Sequence, residues 1–388
     1  MIVLCAHRLY TPQQEIRDPL VFVEEGVVSS VSSRAQQEVP KGATVINFAD
    51  SVLVPGFVDI HIHGGAGVDV MHAASGELVR LNQFLARHGV TSYFPTTVTA
   101  PLDQTCRSLD MLADAIEAAP RHGNNGNAVQ ARPAGIHLEG PFLSHKRRGV
   151  HPTEYLVEPT LEIFERLWQA ARGHIRMMTI APELPGAIEV MAEAARRNVC
   201  VSIGHSDASL ESAQAAVKAG ARHATHTFNA MRPLDHRDPG LLAEVLTNRQ
   251  LSADIIADGI HVAPAVVKLF LQAKGLDHAV LITDATAAAG MPEGTYQLGP
   301  IQVEVKNGRC TTGGNLAGSV LTMDQAIRNA GEFAGLTLRD AVRAATVNPC
   351  RAARLTQSGQ IAAGAAADIV ALSPDGNARK TMIHGRVF

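Results

Sequence analysis

The sequence predicts an α/β chain: a (β/α)8 TIM-type barrel with a small β-sandwich domain formed by its N- and C-terminal segments. Three observations predict it. From residue 57, short apolar β-rich runs alternate with helix-length amphipathic stretches. Eight such runs can be placed, at 57–61, 91–94, 134–138, 175–180, 199–203, 222–225, 251–256 and 279–283. Before residue 55 and after about 358, the texture changes to β runs separated by turn residues. At 388 residues the chain exceeds the size at which one core stops growing, so a large unit and a small one are expected. The expected boundaries are 1–54 with 358–388 for the small domain and 55–357 for the barrel.

In chain order, Leu20–Val23, Val27–Val28 and Thr44–Ile46 are β-rich, with Glu24-Glu25-Gly26 and Pro40-Lys41-Gly42 between them. The barrel helices show apolar spacing such as Leu78, Leu81, Phe84 and Leu85, and again Ala187, Val190, Met191 and Ala194. A β-rich insertion covers 296–312 after the eighth run, with a turn at Asn307-Gly308. Helical stretches are expected at 322–334 and 337–347. Strand texture returns at Ala367–Leu372, Lys380–Ile383 and His384–Val387. His122–Asn127, rich in Gly and Asn, reads as a loop.

Composition narrows the function classes. A net charge of −3 and 4% aromatic residues argue against nucleic acid or an anionic membrane as the main partner. The opening Met1–Ala6 is too short for a signal-peptide core, and no later stretch is long enough to span a bilayer. Five scattered cysteines without Cys-x-x-Cys indicate neither a disulfide framework nor a thiolate metal site. A cytoplasmic location is expected. Seventeen histidines make imidazole and carboxylate the expected metal donors.

The polar residues fall where a barrel builds its active site, at the carboxyl ends of the strands. His61 and His63 stand two apart, so both side chains leave the same face of a strand. Glu139 follows the third run in His137-Leu-Glu139-Gly-Pro141. His205 follows the fifth in Gly204-His-Ser206, His226 the sixth in His226-Thr-Phe-Asn-Ala230, and Asp284 the eighth in Thr283-Asp-Ala285. Each has a plain alternative: a loop histidine making a hydrogen bond, an aspartate capping a helix, a glutamate in a turn. Five strand ends carrying such residues together point to a catalytic metal site.

These motifs resemble the amidohydrolase superfamily. Within it, His137-Leu-Glu-Gly-Pro-Phe142, Gly204-His-Ser206, His226-Thr-Phe-Asn-Ala-Met231 and Thr283-Asp-Ala285 resemble the N-acetylglucosamine-6-phosphate deacetylases. Asp258-Gly-Ile-His261 and Leu316-Ala-Gly-Ser319 belong to the same pattern. The resemblance implies that Glu139, His205 and His226 bind a principal divalent metal, with His61 and His63 offering a second position. One or two ions per subunit are therefore open, and imidazole–carboxylate sites take Zn²⁺, Fe²⁺, Mn²⁺ or Co²⁺. Many relatives bridge their metals with a carboxylated lysine; here Glu139 takes that place.

The resemblance also implies Asp284 as general base and acid and His151 as a group steadying the oxyanion. Substrate contacts would come from His151, Asn229, Ala230, Arg237, His261 and the loop Leu316, Ala317, Gly318, Ser319. Arg237 matches an arginine that reaches the neighbouring subunit's substrate phosphate, which implies a homodimer. The implied reaction is hydrolysis of N-acetyl-D-glucosamine 6-phosphate. The galactosamine epimer is the nearest alternative; a cyclic-amide hydrolase and a non-catalytic scaffold stand further off.

Overall fold

The eight apolar runs are eight strands in a computed structural model of the chain, which describes residues 1–119 and 129–388. They are β1 (Phe57–Ile62), β2 (Val90–Pro95), β3 (Ile136–Glu139), β4 (Ile175–Ile180), β5 (Cys200–Ile203), β6 (Ala221–Ala224), β7 (Ala253–Ile256) and β8 (Ala279–Ile282). Every residue of β1, β2, β3, β5, β7 and β8 is buried, so both strand faces are covered and period-two alternation is absent. The predicted loop His122–Asn127 lies outside the described residues.

Pairing is parallel throughout this set: β1 with β2, β3 through β6 in order, and β7 with β8. Hydrogen bonds and one bridge connect these groups. Thr96, just past β2, forms a parallel bridge with His137. At the end of β6, the Ala224 N–H donates to Ser252 O at 3.0 Å, and beyond β8 the Asp284 N–H donates to His61 O at 3.0 Å. A helix follows each strand, from Ser75–Arg87 after β1 to Met323–Ala334 after β8. The predicted apolar stripes face inward: Leu78, Leu81 and Leu85 in one helix, and Ala187, Val190, Met191 and Ala194 in another, are buried.

The insertion after β8 is a four-stranded antiparallel sheet built from Gly294–Leu298, Ile301–Lys306, Arg309–Thr312 and Asn315–Leu316. Asn307 and Gly308 both have positive φ, the backbone of a tight hairpin turn. The helix expected at 337–347 is Leu338–Ala344, and a further helix, Val347–Ala353, follows it after a break at Thr346. Pro349 sits in the first turn of the second helix, where its missing N–H has no carbonyl to serve.

Head and tail interleave. A six-stranded sheet runs in the order 386–387, 378–383, 369–372, 52–55, 8–10, 15–17, so both ends of the chain are needed for one sheet. A four-stranded sheet of Val27–Ser33, Pro19–Glu24, Ile2–Cys5 and Thr44–Asn47 faces it. Leu4, Val21 and Val28 from one sheet share a core with Leu9, Leu53, Ile369 and Met382 from the other. Within the apolar Met1–Ala6 run, Ile2–Cys5 is therefore a core strand.

One ion pair ties the terminal sheet to the parallel strands. Arg132, on a two-residue strand beside β2, donates from Nη2 to Asp368 Oδ2 at 2.5 Å and also contacts His384. The Asp368 side chain is 3% exposed, so loss of the guanidinium strands a buried carboxylate. Arg132→Ala is expected to lower folding stability by about 3 kcal/mol, read as a shifted urea midpoint. A change below about 0.5 kcal/mol would show that Asp368 does not depend on Arg132.

Candidate active site

The strand ends bring six donor groups to one place. Glu139, the last residue of β3, lies 3.2 Å from His205 Nε2 and 3.1 Å from His226 Nε2 through Oε1. Its Oε2 lies 3.4 Å from the Nε2 atoms of both His61 and His63. Asp284 Oδ1 is 3.1 Å from His63 Nε2 and 3.5 Å from His61 Nε2. All six side chains are 10% exposed or less. His61 and His63 do leave one strand face together, their Nε2 atoms 3.3 Å apart.

Hydrogen bonds on the far side of the rings decide what each imidazole presents. His63 Nδ1 lies 3.0 Å from Thr96 O and His205 Nδ1 3.0 Å from Arg147 O. A carbonyl only accepts, so both Nδ1 atoms carry protons and both Nε2 lone pairs face the site. His151 is the reverse. The Thr99 backbone N–H donates to its Nδ1 at 3.1 Å, so the neutral ring carries its proton on Nε2, 3.7 Å from Glu139 Oε2. Burial and the neighbouring imidazoles hold His151 well below the usual histidine range. It therefore offers a hydrogen-bond donor, in contrast to the lone pairs of its neighbours.

Two triads have donor atoms within 4.8 Å of one another: His61, His63 and Asp284, and Glu139, His151 and His205. Since His151 points a proton inward, His226 is the better third member of the second triad, with Nε2 3.0 Å from His205 Nε2. Facing lone pairs and two carboxylates at such distances repel unless a proton or cation sits among them. Burial opposes charge on His63, yet hydrogen bonds donated to Asp284 and Glu139 push it up to about 10, so a proton fills the Nε2 position where no cation does. The same imbalance holds Glu139 and Asp284 below the usual carboxylate range against burial, chiefly through the His61 charge. Nitrogen and oxygen donors of this kind fit a divalent ion.

Backbone conformation is unusual at these strand ends. His205, His226 and Asp284 have φ of +46°, +30° and +50°. Non-glycine residues in this region carry about 1–3 kcal/mol each, and such strain clusters at functional sites. Carboxylates that the sequence reading did not single out hold these turns. Ser206 Oγ and the Asp207 N–H donate to Glu183 at 2.7 and 2.6 Å, anchoring the His205 turn from beyond β4. Asp254 accepts the His226 backbone N–H and His223 Nε2, the latter at 2.9 Å. Asp59 accepts from Thr283 Oγ1 at 2.5 Å, and burial pushes its carboxyl up to about 7.

A cleft of about 140 Å³ opens over these groups. Its lining includes His63, Glu139, His151, His205, His226 and Asp284, and also Asn229, Ala230, His261, Leu316, Ala317 and Gly318. His261 is oriented by Asp258, whose Oδ2 accepts from Nδ1 at 2.7 Å. Gly318 has φ +60°, and a Cβ there would stand 2.9 Å from Asp284 O, so only glycine lets this loop close on Asp284. His61 lies beneath the cleft, fully buried. Two predicted contacts are elsewhere. Ser319 is buried and its hydroxyl donates to Thr283 O at 2.6 Å, a turn-holding role. Arg237 stands exposed on the 233–238 loop, outside the lining.

Comparison with known proteins gives the chain's family. The amidohydrolase family pattern matches residues 52–388. The chain is 37% identical to N-acetylglucosamine-6-phosphate deacetylase of Lysinibacillus sphaericus, covering 95% of this chain and 92% of that protein. It is 35% identical to N-acetylgalactosamine-6-phosphate deacetylase of Escherichia coli O157:H7, covering 99% and 98%. Among solved structures, a mutant of N-acetyl-D-glucosamine-6-phosphate deacetylase from Mycobacterium smegmatis, in complex with N-acetyl-D-glucosamine-6-phosphate, superposes with a TM-score of 0.92. That pair is 35% identical, over 100% of this chain and 98% of that one. A buried carboxylate–imidazole cluster at strand ends, joined to similarity of this extent, places the chain: it belongs to the amidohydrolase family.

Proposed function

We propose that the protein hydrolyses N-acetyl-D-glucosamine 6-phosphate to D-glucosamine 6-phosphate and acetate. The observation that carries the reading is the convergence of Glu139, Asp284 and four imidazoles beneath one cleft, in a chain whose full-length relatives are deacetylases. Three parallel groups linked by the bonds described above support one closed (β/α)8 barrel over 55–357. The interleaved sheets of 1–54 and 358–388 form the small sandwich domain.

An acetamide is a weak electrophile with a poor leaving group, so the site has three tasks. Glu139, His205 and His226 would hold the principal divalent ion, Zn²⁺ or Fe²⁺ before Mn²⁺ or Co²⁺, and His61 and His63 a second. When bound, such an ion supplies a water acidified to a pKa near 7 and polarises the carbonyl. Asp284 takes the proton from the attacking water and returns it to the departing nitrogen. The His151 Nε2–H donates to the carbonyl oxygen as negative charge builds there. His261, Asn229, Ala230 and the Leu316–Gly318 backbone receive the sugar and its phosphate.

Arg237 serves a neighbouring subunit in this reading. Its exposed loop also carries Leu234, 53% exposed, an arrangement suited to a homodimer contact. Arg237→Ala is expected to raise KM for the phosphorylated substrate about 10-fold or more, with a smaller effect on the unphosphorylated sugar. Equal effects on both would remove the phosphate contact.

The galactosamine epimer is the second reading, favoured by the 35% identity to a deacetylase of that substrate. Assaying both 6-phosphorylated N-acetylhexosamines after metal reconstitution decides between them. Turnover of neither would end the proposal. No helix among the described residues is long and apolar enough to cross a membrane, and a substrate of central metabolism suits the cytoplasm.

A further inference from the structure

Two apolar side chains line the cleft beside the donor cluster: Val98, on the loop after β2, and Leu298, at the end of the first inserted strand. They are nevertheless only 3% and 2% exposed. Val98 is held between the two groups that matter for the acyl carbon. Its neighbour Thr97 accepts the Glu139 N–H at 3.1 Å, and its neighbour Thr99 donates to His151 Nδ1.

The wall is closely backed. The Val98 N–H donates to Met71 Sδ at 3.0 Å. Gly299, next to Leu298, approaches so closely that a Cβ there would sit 2.9 Å from Val98 Cβ and 3.2 Å from Met71 Sδ. Asp69 pins this turn: its Oδ2 accepts the Gly299 N–H at 2.8 Å, while Oδ1 accepts the Met71 N–H at 2.9 Å. Interiors packed this closely respond to a single methylene.

We propose that Val98 and Leu298 form the wall against which the acyl methyl rests, and that they restrict the substrate to N-acyl groups no longer than acetyl. The inference rests on the deacetylation reading. An amide oxygen at the His151 donor and a carbon open to attack beside Asp284 leave the acyl substituent directed at the residue between Glu139 and His151, namely Val98. Leu298 closes the same corner from the inserted sheet. Polar contacts select the sugar; this corner selects the acyl chain.

The test compares 6-phosphoglucosamine carrying N-formyl, N-acetyl, N-propionyl or N-butyryl groups, using metal-reconstituted wild type, Val98→Ala, Leu298→Ala and Val98→Ile. One methylene in an apolar pocket is worth roughly 10–200-fold in kcat/KM. Wild type should disfavour propionyl against acetyl by at least about 10-fold. Val98→Ala or Leu298→Ala should raise the propionyl-to-acetyl ratio by about 10-fold, and Val98→Ile should shift preference from acetyl toward formyl. Ratios taken on one preparation cancel any loss of folded protein. Ratios unchanged in all three variants, or wild type that accepts butyryl as well as acetyl, would overturn the assignment while leaving deacetylation intact. Failure to hydrolyse even the acetyl substrate would overturn both.

Discussion

Asp284→Asn is expected to lower kcat by about 10³–10⁴-fold while leaving the principal metal position filled. Asparagine keeps the shape and the neighbouring contacts but has no basic oxygen that can take a proton and return it. Burial alone would raise the Asp284 carboxyl; the His61 charge and the His63 hydrogen bond outweigh it and hold it low. The group is therefore ionised at neutral pH and competent as a base. Because Glu139 Oε1, His205 and His226 form their own cluster within 3.2 Å, metal there does not depend on Asp284. Metal analysis and steady-state kinetics on one sample check both halves. Residual turnover within about 10-fold of wild type would remove Asp284 from proton transfer.

Loss of the metal at His61 and His63 alone in that variant would carry different information. Asp284 Oδ1 is 3.1 Å from His63 Nε2, close enough to share a second ion with the histidine pair. A stoichiometry falling by one equivalent would mean that two ions are bound in the native enzyme. An unchanged stoichiometry of one would make the pair a hydrogen-bonding support for Asp284.

Much of this site was legible in the sequence because buried parallel strands read as mostly apolar runs, which locates their carboxyl ends. Glu139, His205, His226 and Asp284 could be picked out because each directly follows such a run. The groups holding them could not. Glu183 reaches the His205 turn from 23 residues away, and Asp59 meets Thr283 across 224 residues, contacts that only closure of the fold creates. Positive φ at three non-glycine strand ends leaves no sequence signature either. Ser319 was grouped with its loop neighbours, but a one-residue difference in direction turns its hydroxyl inward to Thr283 O. The strand order of the terminal sheet leaves no sequence signature: four of its pairings are antiparallel and one, 8–10 with 52–55, is parallel.

Glu139→Gln tests the other half of the chemistry. The carboxylate touches both triads, with Oε1 toward His205 and His226 and Oε2 toward His61 and His63. A glutamine fits the space, but whichever way its amide is turned, one end presents N–H and the charge is gone. Loss of a partner that merely supports a ligand weakens metal binding roughly 10–100-fold, and loss of a charged donor should exceed that. The effect on stability follows by linkage. A metal bound 100-fold more weakly, at the same excess concentration, stabilises the fold by about 2.7 kcal/mol less. Glu139→Gln should therefore show low metal content and a much smaller rise in melting temperature on adding metal. Its metal-free melting temperature should stay close to that of metal-free wild type, since removing a buried charge also removes its desolvation cost. Wild-type metal occupancy in this variant would show that Glu139 is not a ligand, and the four imidazoles would then have to hold the ion without it.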